Sequence, residues 1–284
     1  MRFTATVLSW LIATLALAVA IPAAWTQLHV VDADGYAALA RHAAADPALQ
    51  SAMATELTTR ATALIAERGG GRYPLDSAEV HAAARAFTAG PAFPPLFAQA
   101  NRAAHAWLFS DPGAAEDGNQ WAVDVAPMLR DGSLQPLLSR HNVAVPAKLT
   151  VPLTVSVPPS MRQGRLSRLA TWGPWVSVGA AALCGVCALL TLAAARRRGK
   201  ALSSLGVSAL LVGAGGWAGI EVADRYVHDA LNRAAGNVRS VAEVMVEHAE
   251  AGLHQWLNAT LIAGAALVAS GVIVAMLGGL AKKS

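Results

Sequence analysis

Polar positions are unevenly spread along the chain, and four long stretches almost lack them. The first runs from about Val7 to Trp25, the second from Thr171 to Ala195, the third from Ala201 to Ile220 and the fourth from Trp256 to Ala281. A bilayer is crossed by about 20 apolar residues in a helix. Backbone groups inside lipid have no water to bond, so apolar runs of this length read as helices.

Residues 26–170 show a different pattern. Asp46-Pro47 supplies an N-cap and a proline at the first helical position. Leu49, Met53, Leu57, Ala61 and Ile65 then mark one helical face, up to a stop at Gly69-Gly70-Gly71. Asp76, with Glu79 three residues on, predicts a capping box before the face Val80, Ala83, Ala84 and Phe87. Gly90, Pro91, Pro94 and Pro95 read as a break, and Leu96, Ala100, Ala104, Trp107 and Leu108 as a further helix. The period then changes to two. Trp121, Val123 and Val125 alternate with polar or small residues, and so do Leu149, Val151, Leu153, Val155 and Val157. Pro152 points to an edge position. Residues 163–170 lead helically into the second span, with a kink expected at Gly173-Pro174.

Beyond the third span the helical spacing continues through Val227, Leu231, Ala234, Val238, Val241 and Met245. Glu221 with Arg225, Asp229 with Arg233, and Arg239 with Glu243 are spaced to pair on a helix. Gly236-Asn237 resembles a helix-ending turn. These signals predict a helical hairpin over residues 221–255, standing roughly 20 Å beyond the membrane at ~1.5 Å per residue. One amphipathic helix lying on the membrane surface is the alternative. Apolar helix surface needs a second layer, so the domain is expected to dock on this element.

The expected fold is mostly α: a four-helix transmembrane bundle with a mainly helical extracytoplasmic domain ending in a small β-strand pair. Residues 1–25 form a transmembrane signal-anchor, and 26–170 the outer domain. Residues 171–195 form the second span, and 196–200 a basic cytoplasmic link. Residues 201–281 hold the third and fourth spans with the hairpin, and 282–284 a cytoplasmic tail. Arg2, Ala18-Val19-Ala20 and the short apolar core also fit a cleaved signal peptide. Either choice leaves the next segment outside.

Charge supplies the orientation. Only 14% of residues are charged and mean hydropathy is +0.42, against about a quarter charged in soluble domains. The net charge is +4 and the pI near 9.4. Arg2, Arg196, Arg197, Arg198, Lys200, Lys282 and Lys283 all fall where the positive-inside rule assigns cytoplasm. Arg162, Arg165 and Arg168 argue the other way, but belong to a long segment that translocates regardless of charge. The outer domain balances 12 basic against 12 acidic residues, and the hairpin carries 3 basic against 6 acidic. The basic pI is therefore a topology signal, and no nucleic-acid partner is expected. Trp25, Trp172, Trp175, Trp217 and Trp256 fall at the outer ends of spans and read as membrane-interface anchors.

Candidate chemistry is sparse. Cys184 and Cys187 form a C-x-x-C in the second span and resemble the redox pair of quinone-linked disulfide-forming enzymes. Those enzymes use a second, outer cysteine pair, which this chain lacks. Two small residues at a helix interface are the plainer reading. All eight histidines lie outside the spans. The densest cluster, Glu247, His248, Glu250 and His254, reads as a solvated face, since H-E-x-x-H is absent. No nucleophile elbow, phosphate loop or dinucleotide loop is present, so no catalytic residue, cofactor or metal is expected. Gly213, Gly215, Gly216 and Gly219 in the third span, and Ser177, Ala181 and Gly185 in the second, predict close helix packing. No span holds an acid or base near its middle, which argues against an ion-coupled transporter.

The signal-anchor, the entry Asp46-Pro47-Ala48-Leu49-Gln50 leading to Leu57-Thr58, the strand-rich stretch, Arg196-Arg197-Arg198 and Leu205-Gly206 together resemble an uncharacterised family. It is that of the actinobacterial four-span integral membrane proteins. The resemblance implies a plasma-membrane protein with an exported helical domain, and no catalytic residue. The expected function is a non-enzymatic envelope protein with both termini cytoplasmic, in contact with the lipid bilayer. Its outer domain and hairpin bind an envelope protein partner or a second copy, with Val227, Leu231, Val238 and Met245 as contact residues. The alternatives are a thiol-disulfide oxidoreductase using Cys184 and Cys187, and a channel or small-solute transporter.

Overall fold

The computed structural model describes residues 2–68, 76–109, 122–131, 133–152, 164, 166–195, 198–232 and 238–280. Several expectations lie outside them: the glycine stop at 69–71, Trp121, the strand positions Leu153, Val155 and Val157, and Gly236-Asn237. So do Ala234, Arg233 and the basic residues Arg162, Arg165, Arg196, Arg197, Lys282 and Lys283. The described chain is mostly helical and divides into two units. The first comprises Met1–Leu28, Thr171–Tyr226 and Glu250–Ser284, and the second His29–Ala170 and Val227–Ala249.

The first unit contains the apolar runs. Helix α1 (Arg2–Thr26) passes into a π-helical turn, Gln27–Val31. Helix α8 (Ser167–Ala194) continues through Gly173-Pro174, α9 spans Arg198–Leu231, and α10 spans Val238–Leu280. Among the described residues, four helices are long and apolar enough to cross a membrane. The last two extend well beyond their apolar cores, which sequence hydropathy alone marks.

Two kinds of contact hold these helices together. Between α1 and α9, the Trp10 indole N–H donates to the Ser204 carbonyl at 2.9 Å, and the hydroxyls of Thr14 and Ser208 meet at 2.7 Å. Between α9 and α10 the backbones come close enough that side chains would not fit. A Cβ on Gly199 would lie 2.6 Å from the Gly271 oxygen, and one on Gly206 2.6 Å from that of Gly264. Such small-residue seams gain dispersion contact where lipid supplies no hydrophobic drive. Gly213 and Gly216 face Leu261 and Leu257 in the same seam, whereas Gly215 and Gly219 face open space. In α8 the row Ser177, Ala181, Gly185 is not the packed face, because Gly185 meets nothing within 4 Å. Of that row Ser177 alone is buried, and the other buried residues of α8 are Cys187 and Thr191.

The second unit is a helical domain. Helices α2 (Ala33–Ala43) and α5 (Phe93–Phe109) pack together, as do α3 (Pro47–Arg68) and α4 (Ser77–Thr88). Asp46 caps α3 as expected, its carboxylate accepting from the Ala48 N–H at 2.7 Å. Asp76 caps α4, but Glu79 turns away from the cap and accepts from Arg140 at 2.6 Å. The whole predicted α3 face is buried, with Leu49, Leu57 and Ala61 fully enclosed. Pro94 and Pro95 do not break the chain. They sit in the first turn of α5, where a missing N–H costs nothing. That lets Phe93 and Phe97 enter the core, with Phe93 edge-on to Phe87. Helix α2 was not expected. Its buried side chains, Ala37, Ala40 and Ala43, are too small to print a hydrophobic stripe.

The strand pair is present and short. β1 (Ala122–Asp124) runs antiparallel to β2 (Thr150–Pro152), with Val123 opposite Val151. Val125 leaves the strand but keeps the ladder, donating to the Leu149 carbonyl at 2.9 Å. Two short helices, α6 (Ala126–Leu129) and α7 (Gln135–Arg140), fill the connection and bury Met128, Leu129 and Leu138. Asn142 follows α7 at φ 58°, a left-handed stop that asparagine tolerates.

Candidate functional site

The apolar positions of the returning helix are the first candidates. Val244 is buried within the core of the second unit, and Val238, Val241 and Met245 pack against that core half-buried. Val227 and Leu231 are also half-buried. The start of α10 is thus a layer of the domain, and much of the face proposed for a partner meets its own chain. A cavity of about 60 Å³ remains beneath Val238 and Val241, lined also by Met53, Phe97 and Glu56. The buried Glu56 carboxylate accepts from Arg60 Nε at 2.8 Å, one turn away on α3. Among the described residues of this unit, Leu169 is the one large apolar side chain left well exposed.

The histidines are dispersed. His248 Nδ1 donates to the Val244 carbonyl at 3.0 Å, leaving Nε2 toward the Asp46 carboxylate at 3.9 Å. His254 stacks on Trp217 at 3.9 Å between ring centroids. The cluster of Glu247, His248, Glu250 and His254 therefore does not converge. Among the described residues, no three His, Cys, Asp or Glu side chains are grouped to hold a metal ion. His81 Nδ1 lies 3.2 Å from the Thr58 hydroxyl. That hydroxyl already donates to the Ala54 carbonyl at 2.7 Å, so His81 must donate to it and cannot act as its base.

His105 has the most specific environment, and no sequence pattern marked it. Its Nε2 donates to the Val30 carbonyl at 2.8 Å. Its ring stacks on Phe109 at 4.2 Å and leans on Tyr36 at 5.0 Å. Burial lowers its pKa below the ordinary 6.5, outweighing the Val30 bond and the Asp32 charge, which raise it. Burial likewise raises the Tyr36 phenol above its ordinary value. This is an aromatic clamp around the end of the π-helical turn. With Nε2 held by the carbonyl and the ring packed on Phe109, His105 makes a structural joint between α5 and that turn.

Cys184 and Cys187 are both free thiols. Cys187 is buried, and the carbonyl of its own residue accepts from Thr191 at 2.7 Å. Cys184 is half-buried and lines a cavity inside the first unit. The tryptophans split by environment. Trp172 and Trp175 are 66% and 75% exposed, as an interfacial ring would be. Trp217 is 43% exposed and donates to Asn258 at 3.2 Å. Trp25 departs from that pattern: it is 6% exposed and packs over Gly252 of α10. A Cβ at 252 would meet the indole at 3.4 Å, an ordinary contact distance, and the burial makes Trp25 a packing residue. Trp256 is half-buried and lines the same cavity as Cys184.

No family model, no curated protein and no solved structure matches this chain.

Proposed function

We propose that the chain is a non-enzymatic, multi-pass plasma-membrane protein that carries a helical recognition module on the outer side of the membrane. Both termini are cytoplasmic, and the module binds an envelope partner through its exposed surface. The observation that carries this reading is the distribution of exposed large apolar side chains. From Val7 to Leu28 and from Trp172 to Leu277 they crowd the first unit, where lipid would cover them. The second unit exposes Leu169 alone among its described residues, because α10 helps close its core. A module that buries its own apolar faces offers a partner a mixed surface, no more apolar than the rest of it, as non-obligate interfaces are. The basic residues at 196–200 and 282–283 support the assigned orientation.

One cysteine tests both parts. Ser51 is exposed on α3, so Ser51→Cys is placed in a chain whose Cys184 and Cys187 are alanine. A membrane-impermeant maleimide should label it in intact cells, and a photocrosslinker at the same thiol should capture one discrete protein. Labelling only after lysis would refute the outer placement. Labelling in intact cells with no protein adduct, at Ser51 and likewise at Arg85 on α4, would refute partner binding.

A further inference from the structure

We infer that the span bundle holds the hydrocarbon chains of a bilayer lipid. The site is a slot between α1, α8, α9 and α10, with a volume of about 850 Å³. That lies within the ~300–1,000 Å³ of small-molecule sites. The inference rests on the membrane-spanning reading of the helices and not on partner binding.

The shape of the slot follows from the helix contacts. Gly206 against Gly264, and Gly213 against Leu261, fix α9 and α10 as antiparallel neighbours. Along that pair, Leu202 and Leu267 line one end of the slot and Gln255 with Trp256 the other. Gln255 to Leu267 covers about 18 Å at ~1.5 Å per residue. One leaflet of hydrocarbon is about 15 Å deep, half of a ~30 Å core. The slot is as long as the tail of a lipid from a single leaflet. Room for it comes from alanines at 188, 259 and 263, where larger side chains would fill the space.

Polarity selects hydrocarbon along the length. Ser208 meets Thr14 at 2.7 Å, and Thr260 donates to the Trp256 carbonyl at 2.9 Å. These lining hydroxyls are already bonded within the protein, and water gains little in an otherwise apolar cavity. At the far end the Gln255 amide and the Trp256 indole suit a polar head.

Full-length protein in lipid nanodiscs tests this with phosphatidylethanolamine carrying a diazirine in its acyl chain. After irradiation, adducts are mapped by mass spectrometry. Adducts should saturate with probe and concentrate on Ala188 and on residues 255–267. They should exceed by several-fold those on Leu190 and Ile273, which are exposed on the same helices. The paired substitution Ala188→Phe and Ala263→Phe should abolish the saturable adducts while Leu190→Phe preserves them. If the paired variant does not assemble, Ala263→Leu alone gives the same reading. Labelling of the slot no greater than that of Leu190 and Ile273, or unchanged by filling, would overturn the inference.

Discussion

His105 shows how much one side chain's state depends on groups distant in sequence. Its ring is enclosed by Tyr36 and Phe109, and its Nε2 proton goes to the Val30 carbonyl. Enclosure disfavours the charged form, so the folded pKa lies below the ordinary 6.5. The unfolded chain therefore takes up a proton first as pH falls. The contribution of His105 to stability is fully present above about 6.5 and is lost as pH drops toward the lowered folded value. Melting temperatures of the native protein across this window should decline on acidification, and the decline should flatten in His105→Gln. An equally steep decline in that variant would assign it to other groups. Phe109 lies one turn on in the same helix, but Val30 and Tyr36 come from two other segments, so the spacing around residue 105 does not announce the enclosure. Asp46 is the opposite case. Its capping bond to Ala48 is local, and Asp-Pro states it in two letters.

Elements were legible where their apolar residues are large and evenly spaced. The α3 face printed its own burial, and the alternation around Val123 and Val151 printed the strand pair. Helix α2 was illegible because alanine serves both buried and exposed positions. Helix α5 lost its first turn to a proline rule that holds in helix interiors and not at their starts. The glycines of α9 were half-legible: composition showed that they cluster, but only packing separates those in the seam from those facing outward. That separation is measurable. Gly206→Ala puts a Cβ against backbone atoms of α10, and overpacking costs about 1–3 kcal/mol. Gly219→Ala meets open space, so helix propensity leaves it neutral or better by up to ~1 kcal/mol. Thermal unfolding in detergent should rank the two accordingly, and equal melting points would contradict the seam.

For the whole molecule, the division of charge and hydropathy is what sequence states most directly, because the bilayer imposes it on every residue of a span. What each apolar face covers is not stated, since a stripe looks the same whether it meets lipid, a partner or its own domain. The spacing of Val238, Val241 and Met245 suits a partner and the chain's own domain alike; with Val244, which that spacing does not single out, they pack on a core that begins near residue 40. Val244→Asp should accordingly open that core, with α3 and α4 becoming protease-sensitive in native membranes. Unchanged protection would mean that the start of α10 is dispensable to the domain.

The seam between α9 and α10 also constrains motion. Gly199, Gly206 and Gly213 recur every seven residues, opposite Gly271, Gly264 and Leu261. Sliding α10 by one turn, about 5.4 Å, would drive Leu261 or Val268 into the backbone of Gly206. The pair is thus locked against piston-like displacement, and a signal carried through these two helices has to travel as a bend or a twist of both together.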